Sequence, residues 1–195
     1  PLPDGAACSG MSLGSKPGFS GPCQHTLGCR RELAGALGAF NVRYLLSPVA
    51  LQGCPGFVLL DTIDAGMFQV RIHENLRFLP RAFWVAEALD VPSNARAASR
   101  LVDWRFDPHE QVLRTNPDAP ESGPRARAPS SRAEPGGRCR HRSPRAGLSQ
   151  VSCDLTDGGF VVISETRYPG QVVRLDGQTV EPFTANGMVL GLAIN

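Results

Sequence analysis

Apolar and polar positions alternate in short runs along much of this chain, and turn residues separate the runs. The pattern is densest from Val151 to Asn195. There the runs VSCDLT, FVVISET, QVVRL, QTVEPFTA and MVLGLAI are parted by Asp157-Gly158, Tyr168-Pro169-Gly170, Asp176-Gly177 and Asn186-Gly187. A two-residue turn with positive φ at both centres is best tolerated by Asn, Asp and Gly, so each Asp-Gly or Asn-Gly pair predicts a tight hairpin. Strands joined so closely run antiparallel, because a parallel neighbour requires a long crossover. The spacing therefore predicts a β-meander over 151–195, with Val172–Leu175 against Gln178–Val180 and Phe183–Ala185 against Met188–Leu190. Its last, apolar strand is expected to leave an edge open to pairing.

Earlier in the chain the signals are more varied. Residues 1–31 hold Gly, Ser, Pro and Cys without an apolar period and read as a loop or ragged end. Residues 32–113 read as a β-rich first half with short helices. Arg31–Ala39 predicts a helix with Leu33 and Leu37 on one face, and Ser93–Val102 predicts a second, capped by Ser93 or Asn94. Strands are expected at Val42–Leu46, Phe57–Thr62 and Met67–His73, the last two joined by a turn at Asp64-Ala65-Gly66. In the third, Phe68, Val70 and Ile72 alternate with Gln69, Arg71 and His73, so the polar set should face water. Ala82–Val85 is a further apolar run, and Gln111–Leu113 a strand stub.

From Arg114 to Gly147 the patterning disappears and eight arginines and six prolines take its place. Such composition buries too little surface to offset the entropy of ordering, so 114–150 reads as a disordered linker, or as the product of two compensating reading-frame shifts. The fold class that follows is mainly β: an antiparallel β-sandwich or meander with one or two short helices and a disordered central tract. Residues 151–195 alone are too few for a stable core and need a partner layer, expected within 40–86. The expected core is Phe160, Val162, Val173, Leu175, Val189 and Leu190 with Val42, Leu45, Val70, Ile72 and Phe83.

Composition adds little direction. The net charge of +2 selects no partner, and of 20 basic residues only Lys16 is a lysine. No run approaches the roughly 20 apolar residues that cross a bilayer; Val42–Leu60 is interrupted by Arg43, Pro48, Gln52 and Pro55. The chain begins with Pro and is expected to be a piece of a longer or processed protein. Its six cysteines match no disulfide framework and read as mostly unpaired thiols.

Candidate chemistry is sparse. Cys23, His25 and Cys29, with Cys139 and His141, could ligate zinc, yet their spacing lacks the paired C-x₂₋₄-C units of structural sites, so no metal is assigned. Ser164-Glu165 at a strand end, with His73 and His109 elsewhere, has neither a nucleophile elbow nor an oriented base. No catalytic residue and no cofactor is implied. The arginine tract 125–145 could bind phosphates through guanidinium forks, but it lacks aromatics for base stacking, which argues against nucleic acid. Arg81, Arg167 and Tyr168 are the candidates for a sugar- or headgroup-binding surface, Tyr168 sharing with Trp84 and Trp104 a ring able to stack on a sugar.

Four phrases in register carry a family resemblance. They are LGAFNVRYLLS at 37–47, RIHEN at 71–75, LPRAF at 79–83, and SETRYPG at 164–170 followed by Asp176-Gly177. In this order and spacing they resemble the C-terminal, extracytoplasmic region of the YfhO-type bacterial membrane proteins. There an NVRY strand precedes a YEN…LPRAF segment, a strand ending YPGW, and a DG hairpin with an ANG turn. Gln171 departs from the aromatic that usually follows YPG, and 114–147 falls where a strand would be expected. The resemblance implies a β-rich domain outside the cytoplasm, attached to a many-spanning, lipid-carrier-dependent glycosyltransferase-like protein of the cell envelope. The implied partners are the parent membrane domain and a glycan or lipid-linked sugar. The carboxylates presumed catalytic in that family lie among N-terminal membrane helices, so no residue here inherits that role. A free carbohydrate-binding β-sandwich module is the alternative.

Overall fold

The apolar run Phe160-Val161-Val162-Ile163 is buried at every position, which a strand permits only when both of its faces are covered. The computed structural model describes residues 31–51, 53–103, 105–120, 125–127 and 138–194. The chain runs α1 (Arg31–Gly38), β1 (Tyr44–Ser47), β2 (Phe57–Asp64), β3 (Gln69–Asn75), β4 (Ala82–Val85), β5 (Glu87–Val91) and α2 (Asn94–Leu101). It continues through β6 (Gln111–Thr115), β7 (Arg125–Arg127), β8 (Arg138–Arg145), β9 (Leu148–Asp154) and β10 (Gly159–Thr166). The final strands are β11 (Val173–Leu175), β12 (Gln178–Val180), β13 (Phe183–Ala185) and β14 (Val189–Ile194). The protein is mainly β, as its patterning predicts.

Seven strands form the main sheet in the order β4-β10-β14-β13-β6-β5-β7. β4 and β5 are separated in sequence by Ala86 alone, yet they stand first and sixth in this order, so the sheet must curl back toward itself. Inside the curl, Phe83, Val85, Phe160, Val162, Val112 and Val189 form one core, with Phe183 packed edge-on to Phe160 at 6.1 Å between ring centroids. Outside it, Leu113 and Val91 pack against Ala97 and Leu101 of α2 and Ala36 and Ala39 near α1. On the remaining outer surface Val161, Ile163, Leu190 and Leu192 are covered by residues of β8, β9, β11 and β12.

The main sheet is mixed. β5 and β6 pair in parallel, Glu87 opposite Gln111, and α2 lies in the crossover between them. Ser93 caps α2 by accepting the Arg96 N–H at 3.2 Å, as its sequence predicts. The expected stub at Gln111–Leu113 is a longer interior strand with Val112 and Leu113 fully buried. Arg114, expected to open a linker, extends β6 and makes a two-pronged ion pair with Asp90, at 2.6 and 2.9 Å. The hydrogen bonds that Arg114 donates to Asp90 outweigh partial burial and hold its guanidinium above its ordinary pKa.

A second, three-stranded sheet, β1-β3-β2, carries a reversal of the expected polarity. His73, read as water-facing, is 2% exposed and Asn75, two residues on, is 0% exposed, whereas Phe68 is 57% exposed and Val70 and Ile72 are half-buried. Asn75 explains the reversal. Its side-chain amide donates to Ala34 O at 2.9 Å and Val42 O at 3.0 Å, while its Oδ1 accepts from Arg77 N at 3.0 Å. These bonds tie the middle of α1 and the segment before β1 to the end of β3, and they fix the face of β3 that turns inward. The helix itself buries Ala34 and Ala36, not Leu33 and Leu37, which are half-buried. Close approach demands small residues there, since a Cβ at Gly38 would overlap the Arg77 carbonyl. Val42 and Leu45 of the expected core are likewise only half-buried, as are Val173 and Leu175.

The hairpin turn predicted at Asp64-Ala65-Gly66 joins β2 to β3, and of the three hairpins predicted from Asp-Gly and Asn-Gly pairs two are present. β11 and β12 pair Leu175 with Gln178 around Asp176 (φ 49°) and Gly177 (φ 84°). β13 and β14 pair Ala185 with Val189, so Met188 joins Asn186 and Gly187 in a three-residue loop. The Asp157-Gly158 junction makes no hairpin: β9 pairs with β8, and the chain crosses there to the main sheet. The simple meander expected over 151–195 is therefore broken. β14 is not an open edge either, because it lies between β10 and β13. The linker expected over 114–150 is strand in much of its described part, from β6 through β8 and β9; residues 121–124 and 128–137 lie outside the described residues, as do 1–30.

Two glycines test the packing. A Cβ at Gly191 would overlap the Phe183 ring inside the curl, so Gly191→Ala should destabilise by about 1–3 kcal/mol. At Gly35 the nearest atoms to an added Cβ are 3.7 Å away, an ordinary contact. Gly35→Ala in α1 should stabilise by about 0.4–1 kcal/mol, read from denaturant midpoints.

Candidate functional site

Along β8 the residues Arg138, Cys139, Arg140, His141 and Arg142 alternate between two faces of the strand. Arginines point outward; Cys139 and His141 point to the main sheet. Across the ribbon Cys139 stands opposite Cys153 and His141 opposite Val151. Cys139 and Cys153 form a disulfide, and Cys54 is disulfide-bonded as well, which corrects the expectation of unpaired thiols. Bonding and packing thus make up for the low hydrophobicity that marked this tract as a linker.

Between the β8–β9 ribbon, the β11–β12 hairpin and the outer surface of β10 and β14 lies an open cleft of about 1120 Å³. Its floor is Val161, Ile163, Leu190 and Leu192, and its walls include Leu148 and Val151 on one side and Val173 and Leu175 on the other. The polar rim holds Arg145, Glu165, Tyr168, Gln171, Arg174 and Asp176. Gln171 Oε1 is buried there without a hydrogen-bond partner among the described residues. A concave apolar interior with a few converging polar groups is the usual form of a small-molecule site, and this volume lies slightly above the usual range of such sites.

Glu165 is the polar hub of the rim. Its Oε1 accepts hydrogen bonds from Ser149 Oγ and from His141 Nε2 at 2.9 Å, and Arg81 stands 3.7 Å away. Burial raises the carboxyl pKa, but the hydrogen bonds of Ser149 and His141 and the charges of His141 and Arg81 together draw it below the ordinary 4.5. A Ser-His-acid triad places the imidazole between hydroxyl and carboxylate. Here serine and imidazole meet the same carboxylate oxygen, so the cluster fastens the ribbon to β10 and does not activate Ser149.

The structure brings two of the three sequence-derived candidates to this site. Tyr168 lines the cleft and is 57% exposed, and Arg81 reaches its rim through Glu165. Arg167 turns elsewhere, to Glu181 at 3.0 Å and Thr184 at 3.4 Å. Ser164 Oγ is 3.5 Å from the Ala39 carbonyl, His73 is buried beneath the small sheet, and His109 sits in a turn whose N–H Asp107 accepts. These groups do not converge. Cys139 is committed to its disulfide and His141 to Glu165, while Cys23, His25, Cys29 and Trp104 lie outside the described residues. Among the described residues no group of three or more His, Cys, Asp or Glu side chains is placed to hold a metal ion. The hub itself was missed in sequence, although the alternation R-C-R-H-R places Cys139 and His141 on a common face.

No family model matches the chain, and neither a curated protein nor a solved structure matches it.

Two predictions follow from the ribbon's attachments. The lowered pKa of Glu165 means that its contribution to stability is present above its unfolded value and lost as pH falls through the lower folded value. Glu165→Gln should lower stability at neutral pH and flatten the decline below about pH 4.5 in urea titrations. The disulfide spans 14 residues; replacing Cys139 and Cys153 together by Ser should cost about 2–3 kcal/mol, seen as a lower thermal midpoint.

Proposed function

We propose that this chain is a non-catalytic, ligand-engaging β domain on the outer side of a bacterial membrane, part of a glycosyltransferase-like protein of the cell envelope. The observation that carries the reading is the cleft, with its aliphatic interior and polar rim and no nucleophile–base pairing among the described residues. The ligand is a glycan or a lipid-linked sugar, its apolar part along Ile163, Leu192 and Val173 and its polar part at Tyr168, Gln171 and Glu165. Two further observations support the setting. Disulfides persist in oxidising compartments outside the cytosol, and the chain forms at least one. The phrases at 37–47, 71–75, 79–83 and 164–170 resemble the YfhO-type extracytoplasmic region. Among the described residues no helix is long and apolar enough to cross a membrane, so anchorage would come from the parent membrane domain.

The second reading is a free carbohydrate-binding module. The exposed ring of Tyr168 at the rim favours it, since such a ring can stack on a sugar. Hydrophobic spans upstream in the parent gene would select the first reading, a hydrolase domain the second. Calorimetry with a short-chain prenyl-phosphate sugar and with free oligosaccharides tests the cleft directly. Binding of the lipid-linked form, weakened about five- to tenfold by Tyr168→Ala, is expected, a loss of about 1 kcal/mol or slightly more. Binding of neither ligand would reject the proposal, and binding of oligosaccharide alone would transfer it to the free module.

A further inference from the structure

The outward face of the β8–β9 ribbon turns away from β10, meets the cleft only at Ser152, and is chemically unlike it. Arg138, Arg140 and Arg142 are all exposed, and none forms an ion pair or side-chain hydrogen bond among the described residues. Successive outward positions of a strand recur at about 6.6–6.8 Å, so the three guanidinium groups form a row spanning about 13 Å. The parallel row on β9 is Asp154, Ser152 and Gln150, one facing each arginine. All three of these are exposed too.

We propose that this row binds a linear phosphate polymer through its backbone. Guanidinium forks match phosphate oxygens two at a time, and Ser152 and Gln150 add neutral donors beside them. The ribbon presents the arginines on a backbone that is already ordered. The Cys139–Cys153 disulfide links its two strands, and the His141–Glu165 bond and the packing of Val151 hold its inner face to the main sheet, so no backbone needs ordering when a polymer docks. The form of the charge selects a strand-like ligand over a membrane. A bilayer is a plane of anions, whereas here a single basic row is flanked by a row that is neutral except for Asp154. Residues 138–154 contain no Phe, Tyr or Trp, so bases would find nothing to stack on and recognition is of phosphates alone.

The test uses the full chain with labelled long-chain inorganic polyphosphate, titrated by fluorescence anisotropy across a range of NaCl concentrations. Affinity should fall with log[salt] at a slope near −2 to −3, the value for about three phosphate contacts. The triple variant R138Q/R140Q/R142Q should lose at least tenfold in affinity and most of that slope, with an unchanged thermal midpoint. Arg71→Gln, on the separate small sheet, should change neither. Single-stranded DNA should bind without base preference and lose affinity in the same triple variant. Equal affinity of the triple variant and the unaltered chain would overturn the proposal. So would phosphatidylserine vesicles that bind more tightly than the polymer, or a DNA affinity that depends on base identity.

Discussion

Everything in this fold is arranged around a strand that must be covered twice. β10 turns Phe160 and Val162 into the curl of the main sheet and Val161 and Ile163 out of it, and all four are buried. Burying a side chain of this kind is worth about 1.5–3 kcal/mol, so leaving the outer pair in water would forfeit several kcal/mol. The inner face is satisfied by the curled sheet itself. The outer face requires further chain, and the β8–β9 ribbon and β11–β12 hairpin supply it. Because two narrow ribbons cover the surface where a continuous layer would close it, a cleft remains between them. The candidate site is a by-product of how the second face is covered.

What was legible in the sequence follows the same logic. Asp176-Gly177 and Asn186-Gly187 announce their turns because the backbone there adopts positive φ, a local requirement that residue type meets directly. Ser93 announces the start of α2 for a similarly local reason. The expected core takes one face only of the run Phe160–Ile163, as Phe160 and Val162, and the burial of Val161 and Ile163 as well comes from the ribbons laid over the outer face. What escaped notice depends on contacts between residues far apart. His73 looks like part of a solvent face until Asn75, two residues on, is seen bonded to Ala34 and Val42, more than thirty residues away. The place of β14 inside the sheet, not at its edge, likewise depends on a pairing order that short turns alone do not determine.

The arginine-rich tract shows how composition can mislead. Its low hydrophobicity argues for disorder only if every residue is weighed equally. In a strand half of the residues face inward, and on β8 those are Cys139 and His141, one in a disulfide and one bonded to Glu165. Arg138, Arg140 and Arg142 are on the other half. Of the candidate site, Tyr168 and Arg81 were visible as polar residues beside apolar strands, whereas Glu165, Ser149 and His141 become a cluster only through the docking of the ribbon. The same docking gives the ribbon two unlike faces, an apolar and hydrogen-bonded one beside the cleft and a basic one toward solvent.

The central claim is that 138–154 is a folded layer on β10 and not a linker. Amide hydrogen exchange of the oxidised chain, resolved by peptide, measures this most directly. The account predicts that the amides paired between β8 and β9 exchange far more slowly than those of an unstructured chain, with protection that falls when the disulfide is reduced. Exchange across 138–154 at the rate of a free peptide, while β10 and β14 stay protected, would contradict it.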